Sequence, residues 1–400
     1  MRIFMGLAIA LSFFGCQQQG IDARFDHEGI TVPKGMGQDR DFRGEDAPEF
    51  LAVKTLDALF EFEKVVPLQT TDESVVGVVT DLLFHRNQWY ILDQMTCSVY
   101  RFREDGSFVG KFGRRGPGPG EFEYPKRIRR CFNDFIGVAD PVQGKIHLFQ
   151  SSGEYVRATR ARADDMTILP RYTFAWNEED TLVIPGFGSN NPNAPSHAVV
   201  DGRQMPYRLR FGFGERIETI ERAILKGAAT RAYTAFEEIE GRYWTGSPFK
   251  TSVEVFTKNG ELLGRLGEKG PRNREAVIGP DDYEGVHLKR DPAKFMRGEI
   301  NRKRGNGGIF KIGDWVFVRM GRYYDVYRPN GQRIAANLRA NYLQMNYGVG
   351  EWLVMVIPAG MDLSAMPEGP LKQTLQENGY NPQDNPFLAI YRLLSDWDLG

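Results

Sequence analysis

An all-β ring of six four-stranded antiparallel blades is the fold class that the 400-residue sequence predicts, on three observations. Short alternating strands recur along the chain, and five are followed by a turn pair ending in glycine: Asp105-Gly106, Ser152-Gly153, Asp201-Gly202, Asn259-Gly260 and Asn330-Gly331. Successive glycines lie 47, 49, 58 and 71 residues apart. That spacing starts near the ~45–50 residues of a four-stranded propeller blade and grows by insertion. A sixth unit lacks such a turn at the C-terminus, while a spare alternating strand, residues 60–68, stands at the N-terminus. Supplied to the sixth blade, this strand closes the ring and removes the open edges that invite aggregation.

The elements follow in order. Blade one is read as 75–84, 89–93, 99–102 and 107–112, with Asp105-Gly106 as its hairpin turn; glycine there supplies the positive φ at no steric cost. Blade two is 126–132, 135–140, 145–150 and 154–159. Blade three, the most worn, is 171–176, 181–185, 196–200 and 205–211. Blade four is 230–237, 242–245, 252–257 and 261–266, and blade five is 309–312, 315–319, 323–328 and 332–338. Blade six has 341–347, 351–357 and 387–394, with 60–68 as its outer strand. Two insertions read as helical. One runs from Asp291-Pro292 to Gly305, and the other spans 369–379 and ends in Gly379.

The layout resembles the NHL-repeat and TolB-like six-bladed β-propellers, and most of all the lipoprotein propellers of Bacteroidetes-type genomes. The carriers are Tyr90-Ile91-Leu92-Asp93, Val99-Tyr100-Arg101-Phe102, Asp105-Gly106, and Phe112-Gly113 through Gly118-Pro119-Gly120-Glu121-Phe122 to Pro125. A partial second copy has Phe256, Asn259-Gly260, Leu266-Gly267 and Gly270-Pro271. The resemblance covers about residues 60–394. It implies a binding or scaffold module. It also keeps a different class in view, an NHL-like lyase or a hydrolase working at the central channel.

The first residues are read as export signals. Arg2 precedes a 12-residue apolar stretch, 3–14, too short to span a membrane well. Gly15-Cys16 then resembles a bacterial lipoprotein cleavage site, although Phe13 and Phe14 depart from its usual residues. The expected organisation is a signal peptide (1–15), a lipidated Cys16 with a flexible tether (16–50) that carries Asp39, Arg40 and Asp41, and the propeller (51–400). The place is the bacterial cell envelope. A net charge of −1 gives no field that would draw the protein to nucleic acid, so the expected partner is a protein or small ligand, with the membrane touched through the anchor alone, and the chain is expected to be a monomer.

No catalytic set assembles. The five histidines, His27, His85, His147, His197 and His287, lack metal-ligand spacing, and no cofactor motif is present, so no metal or cofactor is expected. Asp93 and Asp140 end equivalent second strands, where the plain reading is acceptance of loop N–H groups. Cys97 and Cys131 fall at opposite faces of the ring, which argues against a disulfide. Gly113 to Gly120 lacks the Lys-Ser/Thr of a phosphate loop and reads as a linker between blades. Lys126, Arg127, Arg129 and Arg130 form a basic run, read as a solvated patch or, alternatively, as a contact for an acidic partner.

Strand order also predicts a working face. Loops after second strands and connections between blades share one face, and the tight turns share the other. The long insertions, 113–125, 186–195, 267–308 and 358–386, all fall on the first face, and binding residues favour loops on a rigid scaffold. Expected contacts are Phe187, Tyr283, Arg297, Arg302, Lys303 and Arg304, with Arg127 and Arg129 as further candidates.

Overall fold

The computed structural model describes residues 37–48, 51–160, 162–163, 166–167, 174–185, 196–202, 208–214, 235–246, 252–267, 306–320, 323–341 and 347–395. Within them six four-stranded antiparallel sheets follow one another around a ring. Blade one is Val79–His85, Gln88–Asp93, Ser98–Arg103 and Phe108–Phe112. Blade two is Arg127–Arg130, Ile136–Asp140, Lys145–Phe149 and Tyr155–Arg160. Blade three is Ala175–Trp176, Thr181–Pro185, His197–Asp201 and Arg208–Phe213. Blade four is Ala235–Ile239, Arg242–Gly246, Val253–Thr257 and Leu262–Leu266. Blade five is Asn306–Ile312, Trp315–Met320, Tyr323–Tyr327 and Arg333–Arg339. Blade six is Tyr347–Val349, Trp352–Ile357, Phe387–Leu393 and, from the N-terminal side, Phe60–Pro67.

Period-two alternation explains why each blade is apolar on both faces. Within Gln88–Asp93, Trp89 and Ile91 pack toward blade six, while Tyr90 and Leu92 pack toward blade two. Every junction between consecutive blades has its own buried cluster, from one–two through to six–one. Closure comes from Phe60–Pro67, which pairs antiparallel with Phe387–Leu393 from Phe60↔Leu393 to Pro67↔Phe387. Its two sides serve two junctions: Phe60 is buried between blades five and six, and Val66 between six and one.

The glycine turns differ in detail from a two-residue hairpin. Gly106 takes φ +88° and donates its N–H to Arg103 O at 2.9 Å, and a register shift follows in the ladder. This is a type I turn closed by a bulge residue. A Cβ on Gly106 would sit 2.0 Å from Pro67 O, so the turn also needs glycine to lie against the closing strand. Asp201-Gly202 departs from the expected pattern. Gly202 has no positive φ, and its N–H donates to Asp180 O at 2.8 Å.

One more correction concerns the N-terminal side of the ring. The segment 16–50 is expected to be a loose tether, yet its described part, 37–48, lies as a strap along blades four and five. Gly37 N–H donates to Leu262 O, Arg43 N–H to Asn330 O and Ala47 N–H to Arg333 O. Phe42 packs into the four–five cluster, and Asp39 accepts from Arg242 Nε at 2.6 Å. Insertion 358–386 is also structural. Its helix Pro370–Glu377 seats Leu375 in the five–six cluster, and Asn385 holds the linker into blade one through Val76 N–H and Gln69 O. The expected helix 291–305 lies outside the described residues.

Candidate functional site

The antiparallel order inside each blade puts connections between blades, and loops after second strands, on one face. Two buried carboxylates organise that face over blades one and two. Asp93 accepts N–H bonds from Gly77, Val78 and Met95 at 2.8, 3.0 and 2.7 Å, and the Thr96 hydroxyl at 3.0 Å. Asp140 accepts from the N–H groups of Glu123, Tyr124, Val142 and Gln143 at 2.6 to 3.1 Å. Each therefore holds both its own loop and the incoming connection between blades, more than the single loop the sequence suggests.

These two cages display apolar side chains outward. Of the six large hydrophobic residues most exposed among the described residues, five lie here: Val75, Val78, Met95, Tyr124 and Val142. Met95 and Val142 are 62% and 61% exposed. Contacts link Val78, Met95 and Tyr124 of this set. Gln94 N–H donates to Val78 O, Lys126 Nζ donates to Gln94 Oε1 at 2.6 Å, and the same ammonium stands 4.1 Å from the Tyr124 ring centroid. Arg115 donates to Met95 O at 3.1 Å. Scattered exposed hydrophobics are ordinary, but a clustered set with a polar rim is the mark of a docking surface. The neighbouring glycine loop carries its own anion, because Glu121 takes the Gly118 N–H at 2.9 Å and pairs with Arg114 at 2.7 Å.

The second feature lies at the axis. The basic run is neither a solvated patch nor a single surface, because the inner strand Arg127–Arg130 divides it. Arg130 points to the tight-turn side, where it pairs with Asp134 and Glu178. Arg127 and Arg129 enter the channel. Arg129 Nη2 lies 3.2 Å from Glu237 Oε1, so a residue of blade two meets one of blade four across the axis. Its Nη1 lies 3.3 Å from Asp81 Oδ2, which also accepts the Ile128 N–H at 2.9 Å. Arg127 Nη1 is 3.6 Å from Asp81 Oδ1, beyond hydrogen-bond reach. Arg127 makes no hydrogen bond to any described residue, and its Nε is shielded from solvent without a partner.

Burial, then the Arg129 charge, pulls the Arg127 pKa down against the opposing pull of Asp81 and Glu237. For Arg129 burial acts in the same direction, but Glu237 and Asp81 outweigh it and the pKa rises. Tyr347, first residue of the inner strand of blade six, has its phenol pushed up by burial and by Asp81. Asp81, Arg127, Arg129, Glu237 and Tyr347 all occupy the first or middle positions of their inner strands, so the cluster faces the loop-rich mouth.

Sequence reasoning named Arg127 and Arg129 but missed Asp81, Glu237 and Tyr347; a carboxylate within Val79–His85 was the available signal. Phe187, Tyr283, Arg297, Arg302, Lys303 and Arg304, with Cys16, lie outside the described residues. His147 and His197 are buried in third strands, and His85 closes an inner strand rather than sitting in a turn. Cys97 and Cys131 are both buried and free. On the tight-turn face a cleft of about 660 Å³ is lined by both signs of charge, including Glu240, Asp314, Arg328 and Arg392.

Ring, closing strand and channel define the class: a six-bladed β-propeller. The family model DUF5128, described as a 6-bladed beta-propeller, matches residues 47–182. Among solved structures, the chain is similar to a Bacteroides fragilis protein described as exported, at 16% identity and TM-score 0.60, covering 88% of this chain and 99% of that one. It is also similar to a DUF4221 family member from Bacteroides vulgatus, at 12% identity and TM-score 0.54, covering 84% and 98%. At these identities the likeness is one of fold. No curated protein sequence matches the chain.

Proposed function

We propose that the protein is an exported binding module, held to the membrane by an acylated Cys16, that engages a partner protein on its loop-rich face. The observation that carries this reading is the apolar surface of Val78, Met95, Tyr124 and Val142, fixed in place by Asp93 and Asp140 and edged by Arg115 and Lys126. Rigid backbone under exposed apolar groups lowers the ordering cost of association. Export is supported by the 3–14 apolar stretch ending at Gly15-Cys16, and by the fold shared with a Bacteroides fragilis protein described as exported. Phe187, Tyr283, Arg297, Arg302, Lys303 and Arg304, which strand order in the sequence assigns to insertions of the same face, are proposed to extend the contact.

The test is co-purification from detergent-solubilised membranes. The pair Met95→Asp and Val142→Asp should remove a partner that wild type retains, as should charge reversal at Arg302 and Arg304. Both variant proteins should keep the wild-type melting temperature; Met95 and Val142 are more than half exposed and belong to no buried cluster. Cys16→Ser should shift the protein from the membrane pellet to the soluble fraction. A partner retained by all variants, or footprinted only on the tight-turn face, would show the surface assignment to be wrong.

A further inference from the structure

We propose that the loop-side half of the central channel is a binding site for a small monocarboxylate, with Arg127 as its anchor. The guanidinium has five N–H donors in a planar fork, and Arg127 gives none of them to a described residue. Asp81 serves it only in part: Oδ2 is committed to the Ile128 N–H and faces Arg129, while Oδ1, itself without a hydrogen-bond partner among the described residues, stands 3.6 Å from Arg127 Nη1. A guanidinium held by one 3.6 Å ion pair and no hydrogen bond, next to a second guanidinium, is poorly satisfied, and a two-oxygen anion would supply the missing bonds and ease the repulsion.

The surroundings select the ligand. Glu237 and Asp81 already offset the two arginines, so the site accommodates one added negative charge better than two. A phosphate dianion would face both carboxylates at close range, whereas a carboxylate presents a planar pair of acceptors to the Arg127 fork. Glu237 is the resident competitor. Its carboxylate reaches across the axis to Arg129 and is 30% exposed, so a ligand can displace it. Tyr347 lies beside the pair and brings a phenol that burial keeps protonated. This site is independent of the apolar surface proposed for the partner, since none of its residues belongs to that surface.

Trifluoroacetate binding to the full chain, followed by fluorine NMR, tests the site. Saturable binding that acetate displaces and equimolar inorganic phosphate does not is the expected result. Arg127→Gln should weaken it by about tenfold or more, the scale of one lost charge-assisted bidentate contact. Arg127→Lys should fall between the two, since it keeps the charge without the fork. Glu237→Gln should bind more tightly than wild type, a gain that a purely structural ion pair would not give. Arg130→Gln, altered on the tight-turn side, should bind as wild type does. Absence of saturable binding to wild type, equal binding by Arg127→Gln or Arg130→Gln weakening it as much, or phosphate binding in preference, would each overturn the proposal.

Discussion

At the scale of single residues, buried polar groups divide into those that are satisfied and those that are not. Asp93 and Asp140 belong to the first kind, each with several donors. His147 belongs to the second. It is fully buried in the third strand of blade two, edge-on to Phe122 at 5.1 Å, and neither ring nitrogen has a partner among the described residues. Burial, aided by Lys145, brings its pKa from 6.5 to about 4. The folded chain therefore stays neutral at His147 where the unfolded chain takes up a proton. Stability is complete above pH 6.5, falls as the pH drops toward 4, and is level below that. The loss is on the order of 3 kcal/mol, from about 1.4 kcal/mol per pKa unit. His147→Leu should shrink the difference between urea midpoints at pH 7.5 and pH 4.5. An unchanged difference would place the acid sensitivity elsewhere, with His197 the next candidate, since burial lowers it to about 3.

At the scale of elements, the strap shows where local sequence falls short. Residues 37–48 carry no alternation and few apolar groups, so pattern reading takes them for a tether. Their order comes from distant partners: Phe42 fills space over Gly264 and Gly331, and Asp39 compensates the nearly buried Arg242. The Arg242 fork holds the Asp39 carboxyl below its ordinary pKa. Phe42→Ala should cost about 2 kcal/mol, the value of one partly buried aromatic ring. Chains truncated before residue 37 and before residue 49 should differ measurably in denaturant midpoint, with the second less stable. Matching midpoints would mean that the strap rests on the ring without supporting it. The strands themselves were legible, because period-two alternation and a glycine turn are local signals. Blade three was least legible for the same reason, since its inner strand has two residues and Gly202 does not act as the turn glycine.

At the scale of the whole molecule, the ring depends on one strand. Removing residues 60–67 leaves Phe387–Leu393 as an unpaired edge and takes Phe60 and Val66 out of two junction clusters. Such a chain should elute as aggregates and lose a single cooperative melt, an effect far larger than loss of the strap. If it stays monomeric and melts like wild type, blade six does not need its fourth strand. Closure was readable from the sequence by counting strands. The channel was readable only in part. Which of Arg127, Arg129 and Arg130 turns inward depends on the partners Asp81, Glu237 and Glu178, which come from three other blades. The apolar loop surface was missed because Val78, Met95, Tyr124 and Val142 belong to separate loops that only the ring brings together.

The closing strand also sets a clock. Glu61 and Arg392, paired at 2.8 Å, are 331 positions apart, so the closing strand leaves the ribosome long before its partner and is among the last to find its place. Contacts of such long range make slow final steps. Until blade six is synthesised, the strand must be kept from pairing with a neighbouring molecule. A chain that stops early never forms the last ladder and keeps a sticky edge. Complete synthesis is thus read out in the fold itself, and cellular quality control has a ready handle on unfinished copies.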